Sequence, residues 1–162
     1  LLGVLLSVGL AAYAGWYYVH ERSSHICNAC LRPVHAVSKT VAITGSGAKA
    51  TYCCPACALS EHQQTAKPLR LVELTDFLTG QAIEPPQAYL VRNSDVNSCR
   101  HHDEATPITA DKRPLHVHYD RCSPGILSFV GRDAAVRFAA EHGGEVLPSA
   151  ELAAQLSTVA ER

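Results

Sequence analysis

Methionine is absent from all 162 residues, aromatic residues make up only 6%, and charged residues only 18%. Each shortage excludes something. Without methionine there is no thioether to hold a soft metal ion. Residue 1 is also not an initiator, so the chain reads as trimmed at its start. Fourteen basic residues stand against fifteen acidic ones, and so even a balance excludes a dedicated phosphate-backbone binder, which carries a basic excess. Nucleic acid is not an expected partner. Low charge beside a 47% hydrophobic content also excludes a disordered tail. What the chain does have is unusual: seven cysteines and nine histidines. Seven is odd, so the cysteines cannot all pair within one chain.

The first nineteen residues, Leu1 to Val19, carry no charge. At ~1.5 Å per residue a helix of that length nearly spans a ~30 Å hydrocarbon core. Trp16, Tyr17 and Tyr18 cluster just before His20, Glu21 and Arg22, where amphipathic rings favour the headgroup layer. Residues 1–22 therefore read as an uncleaved transmembrane anchor, with a cleaved signal segment, marked by Ala12-Tyr13-Ala14, as the alternative. Either reading carries the rest of the chain across a membrane, to a periplasm or another extracytoplasmic space.

The remainder predicts an α+β fold of two ββαβ-like repeats, over residues 25–80 and 81–162. In the first, Val34 to Thr44 and Ala48 to Tyr52 read as strands about the Gly45-Ser46-Gly47 turn. Pro55 to Thr65 follows as a helix with proline in its first turn, and Leu69 to Leu74 alternates as a strand. In the second, Gln87 to Arg92 and Ile126 to Val130 read as strands. Asp133 caps a helix that Gly143-Gly144 stops after His142, and Glu145 to Leu147 is the next strand. Ser149 then caps a terminal helix with Leu152, Leu156 and Val159 on one face. Asn93 to Arg113 shows no period and reads as a long loop.

Two constellations carry chemistry. The first is Cys27-x2-Cys30 followed by Tyr52-Cys53-Cys54-Pro55-Ala56-Cys57. A pair on a tight knuckle and a second at a strand-to-helix junction bring four thiolates around one tetrahedral ion. Two registers compete for the second pair: Cys54-x2-Cys57, as in treble-clef fingers, and Cys53-x3-Cys57, which resembles the TRASH and YHS-type metal motif. Five sulfurs thus contend for four positions, with His35 as a substitute ligand. Structural disulfides are one alternative. A thiol-disulfide oxidoreductase is another, with Cys54-Pro55-Ala56-Cys57 at a helix N-terminus where amide groups favour a thiolate.

The second constellation is Cys99, His101, His102 and Asp103, then His116, His118, Asp120 and Cys122. If extended, residues 115–122 point His116, His118, Asp120 and Cys122 to one side. Imidazole with thiolate suits copper or zinc, and Cys99, His116, His118 and Cys122 are the candidate ligands. The alternative is a Cys99–Cys122 disulfide closing the loop.

From Leu74 onward the chain resembles the NosL family of nitrous oxide reductase accessory proteins. The residues that carry the likeness are Leu74-Thr75-Asp76-Phe77-Leu78-Thr79-Gly80, Gln87-Ala88-Tyr89-Leu90-Val91, Ile126-Leu127-Ser128-Phe129 and Phe138-Ala139-Ala140-Glu141-His142-Gly143-Gly144-Glu145-Val146. The resemblance implies paired ββαβ units related to the organomercurial lyase fold, a place outside the cytoplasm, and copper delivery to a metalloenzyme. The chain departs from the family pattern in two places. Cys30-Leu31-Arg32 stands where the family has cysteine, glycine and methionine, and Cys99 or Cys122 stands where a methionine is expected, with residues 100–121 as an insert. The expectation is a membrane-anchored, non-enzymatic protein that binds copper or zinc and hands it to a metalloenzyme. An oxidoreductase and a structural zinc module are the alternatives.

Overall fold

In the computed structural model, residues 2–98, 122 and 125–158 are described, with the side chains of 2–6 and 18–24 outside that description. The chain opens with helix α1, Leu2–His25, which exposes Val8, Leu10, Tyr13 and Trp16. Among the described residues no helix is long and apolar enough to cross a membrane.

Two antiparallel sheets and three further helices follow, a mixed α+β architecture. The first sheet contains β1 (Thr40–Thr44), β2 (Lys49–Tyr52), β3 (Leu69–Thr75) and β4 (Ala82–Ile83), in the order β2-β1-β3-β4, with α2 (Pro55–Thr65) between β2 and β3. The second contains β5 (Ala88–Arg92), β6 (Ile126–Val130) and β7 (Glu145–Pro148), in the order β6-β5-β7, with α3 (Arg132–His142) between β6 and β7. Helix α4 (Ser149–Ser157) closes the described chain. In both sheets the first strand lies in the middle, flanked by its hairpin partner and by the strand that returns after the helix.

Local chemistry explains the element ends. Gly47 takes a φ of 83° in the β1–β2 turn, which costs glycine little. Gly144 sits at φ +102°, where a Cβ would lie 2.8 Å from the Arg92 carbonyl oxygen; no other residue fits between α3 and β5. Three expectations need correction. The strand starts at Thr40 rather than Val34, because 36–38 form a turn and the Ser38 hydroxyl donates to the Cys53 carbonyl at 2.7 Å. Gly131, not Asp133, is the N-cap of α3; Asp133 lies in the first turn, where its charge still suits the positive helix end. Ser149 is the first residue of α4, with Pro148 as the cap, and its hydroxyl donates to the Pro85 carbonyl. Leu152 and Leu156 are buried as the periodicity predicts, while Val159 lies outside the described residues.

One buried cluster runs through both sheets, joining Leu71 and Leu74 to Leu90, Ile126, Leu152 and Leu156. Asp76 ties the sheets at their edge. Its buried carboxylate accepts from the Val130 amide at 3.0 Å and from the Thr79 amide and hydroxyl at 3.1 and 2.7 Å. Next to it, the Phe77 amide donates to the Ser128 carbonyl at 2.8 Å. The Leu74-to-Gly80 segment is therefore a clasp between sheets.

Candidate metal centre

Three chain segments bring cysteines to one place. The first is a knuckle opened by an antiparallel bridge between Ile26 and Pro33. The Cys27 amide donates to the Arg32 carbonyl at 2.8 Å, and the Leu31 amide to the Cys27 carbonyl at 3.0 Å. To close so tight a turn, Leu31 adopts φ 60°, a left-handed conformation that is strained for a side chain with a Cβ. Asn28 fastens the knuckle twice: its amide donates to the Thr51 carbonyl at 2.8 Å, and its side chain donates to the two Glu61 oxygens at 3.0 and 2.8 Å.

The second segment is the junction of β2 and α2. Strand β2 ends at Tyr52, so Cys53 and Cys54 escape the alternation that would send adjacent side chains to opposite faces. Cys54 is extended at the N-cap and Pro55 opens the helix, which places Cys57 in the first turn, with its amide 3.1 Å from the Cys54 carbonyl. The third segment contributes Cys122, four residues before β6, whose carbonyl accepts from the Asn97 side chain at 3.0 Å.

The sulfurs form two groups of four. Cys27, Cys30, Cys53 and Cys57 make one; Cys53, Cys54, Cys57 and Cys122 make the other; within each, all Sγ atoms lie within 4.8 Å of one another. The Cys57–Cys122 separation is 3.1 Å, Cys53–Cys57 3.4 Å, and Cys53–Cys122 and Cys30–Cys53 each 3.6 Å. A disulfide would hold its sulfurs at about 2.05 Å, and none of the six is in a disulfide. Five are buried and Cys30 alone reaches solvent in part. Either group could hold a metal ion, since thiolate-only sets of four suit tetrahedral zinc and soft thiolates suit monovalent copper.

Crowding perturbs the thiols in opposite directions. Hydrogen bonds from Cys53 and Cys57 favour a thiolate at Cys27 and hold its pKa well below the ordinary thiol range. The Cys57 thiol is pushed up, chiefly by its hydrogen bond with Cys122 and then by that with Cys27. Cys53 is raised by the same two neighbours, and Cys30 by burial. Like charges this close disfavour one another, and a cation among them would favour further thiolates. The buried Tyr52 hydroxyl is raised as well, by burial and then by Glu61.

Both Cys53 and Cys54 lie in the cluster, Cys53 in both four-sulfur groups and Cys54 in the second. Cys122, expected in a site of the second half, lies against Cys57 and Cys53. Cys99, His116 and His118, together with His101, His102, Asp103 and Asp120, lie outside the described residues. His35 is half-buried and is not among the residues whose donor atoms converge. No local spacing could have announced Cys122, which meets Cys57 across 65 positions. Asp76, visible in the sequence only as part of a resemblance, proves to hold the second sheet, and with it β6, against the first.

No family model matches the chain. The chain is 26% identical over 125 residues to the HTH-type transcriptional repressor CutR of Bacillus subtilis (strain 168), an alignment that takes in 77% of this chain and 55% of that protein. It thus spans about half the length of the curated relative it matches. Among solved structures, the copper chaperone NosL from Shewanella denitrificans is similar, with a TM-score of 0.49 and 14% identity over 77% of this chain and 87% of that one.

Proposed function

We propose that this protein is a metal-binding accessory factor that holds copper or zinc in its six-cysteine cluster and passes the ion to a metalloenzyme. In this reading it is not itself an enzyme, and the cluster works outside the cytoplasm. The observation that carries metal binding is the convergence of six cysteine sulfurs, from three segments, into two four-sulfur groups. Buried thiols packed at 3.1–3.6 Å gain little from one another and much from a shared cation. Release to a partner draws on Cys30, the one sulfur among the described cysteines that an incoming ligand can reach directly.

A second reading follows from the similarity to a transcriptional repressor longer than this chain: the shared region would be a module that senses metal and retains it. Burial of five of the six sulfurs favours retention. The oxidoreductase alternative has less support, because a substrate disulfide must reach the attacking sulfur, and Cys54 and Cys57 are 1% and 0% exposed.

The deciding experiment is metal analysis of the full chain purified without oxygen in mild detergent, with thiols counted before and after denaturation. Bound copper or zinc with thiols protected until denaturation supports the proposal; metal-free protein with its cysteines oxidised overturns it. Adding a competing thiol chelator then separates delivery from sensing. Loss of metal within minutes supports delivery, and retention over hours supports the sensing module.

A further inference from the structure

We propose that the cluster is a dinuclear centre in which Cys53 and Cys57 bridge two tetrahedral divalent ions; this rests on the metal-binding reading above. Two tetrahedra that share an edge have six corners, two common and two private to each. The sulfurs present are six, and the two four-sulfur groups have Cys53 and Cys57 in common. Cys27 and Cys30 then close one ion, and Cys54 and Cys122 the other.

Distances and charge agree with this assignment. A metal–sulfur bond of about 2.3 Å gives tetrahedral sulfur–sulfur edges of about 3.8 Å, so the 3.1–3.6 Å separations need to open by less than an ångström. The shared edge is 3.4 Å, which with the same bond length sets the two ions about 3.1 Å apart. A first divalent ion on Cys27, Cys30, Cys53 and Cys57 leaves two excess negative charges. The second ion finds Cys53 and Cys57 already ionised. It forms bonds to the sulfurs of Cys54 and Cys122 and releases their two protons to solvent, so its entry adds no net charge to a buried site. Two monovalent ions on six thiolates would leave four excess charges in the same space, which burial disfavours. The geometry therefore selects divalent, thiolate-seeking ions of the zinc kind.

The test is titration of the anaerobic, metal-stripped full chain with cadmium, read by bound stoichiometry, by cadmium NMR and by X-ray absorption of the zinc-loaded form. Two ions per chain, mutually coupled cadmium resonances and a zinc–zinc vector near 3.1 Å are expected. Cys122→Ser and Cys54→Ser should each lower the stoichiometry from two to one while the far-ultraviolet circular dichroism stays that of the parent. One ion per chain in the parent protein overturns the dinuclear centre and leaves metal binding standing. No bound ion overturns both. Two ions without the metal–metal vector, or two ions retained by Cys122→Ser, place the second ion elsewhere and also overturn the bridge.

Discussion

The two sheets repeat one arrangement of strands around different fillings. Around the first, the space between β2 and α2 is occupied by sulfur: Cys27, Cys53, Cys54 and Cys57 lie in its core. Around the second, the corresponding space holds rings: Phe129 and Phe138 pack with centroids 4.8 Å apart, and Phe77 meets them edge-on at 6.0 and 5.5 Å. These are all three phenylalanines of the chain. The junctions differ accordingly. Cys53 and Cys54 stand between β2 and α2, where Gly131 alone stands between β6 and α3. A ring core is complete when the chain folds, since aromatic burial needs nothing added. In the proposed metal-binding reading, a core of crowded thiols is incomplete until a cation joins it. The same topology would then support one half that is finished by its own side chains and one that is finished by a ligand.

Substitutions that separate the two fillings should differ in kind. The largest effect belongs to Cys57→Ser, which removes a sulfur common to both four-sulfur groups and should abolish tight metal binding; structural zinc sites contribute about 10–16 kcal/mol of apparent binding energy in small peptides. Equilibrium dialysis checks it, and undiminished binding would break the contrast. Phe138→Ala should cost about 3–5 kcal/mol of stability through lost burial and a residual cavity, yet leave metal stoichiometry unchanged, as measured by denaturant unfolding of the loaded protein. Asp76→Ala leaves the Val130 and Thr79 amides without their acceptor and should cost about 2–3 kcal/mol. Because it loosens the sheet nearest Cys122, it should also weaken metal affinity, which an Asp76→Asn variant partly restores.

pH sharpens the contrast further. The raised thiols of Cys30, Cys53 and Cys57 stabilise the metal-free fold fully below their unfolded value of about 8.5, and that contribution is lost as pH climbs past it. Cys27, held low, works in the opposite sense: its contribution is present above that value and disappears as pH falls into its own depressed range. Above that value Cys27 adds nothing further, so metal-free protein should melt at lower temperature as pH is raised past about 8.5. Loaded protein should instead lose its metal as pH falls, because binding releases protons. The smallest effect is Leu31→Gly, which relieves the left-handed strain of an exposed side chain. It should stabilise the knuckle by about 1 kcal/mol or less, the gain being offset by the greater freedom of glycine in the unfolded chain.

How much of this was legible in the sequence follows the range of the interactions. Helix α2 occupies Pro55–Thr65 and β6 occupies Ile126–Val130 as the local pattern predicts, because proline placement and apolar runs act within a few residues. Cys27-x2-Cys30 likewise announces its own knuckle. The rival registers of Cys53 and Cys54 could not be settled locally, since the answer depends on β2 ending at Tyr52 and on a sixth sulfur arriving from far along the chain. His116, His118 and Cys99, expected to share a site with Cys122, lie outside the described residues. The clasp at Asp76 was invisible for the same reason as Cys122: its partner in the second sheet, the Val130 amide, lies more than fifty residues away.

That distant sulfur has a consequence for the unfolded chain. Once metal joins Cys57 to Cys122, which are 65 positions apart, the chain between them is tied into a loop. By the chain-entropy relation for cross-links of that size, the tie removes on the order of 4 kcal/mol of freedom from the unfolded ensemble. The loop contains β3, β4 and β5, including the central strand of the phenylalanine-filled sheet. Withdrawing the ion should therefore quicken amide exchange in β5, a strand that contains no cysteine and touches no metal.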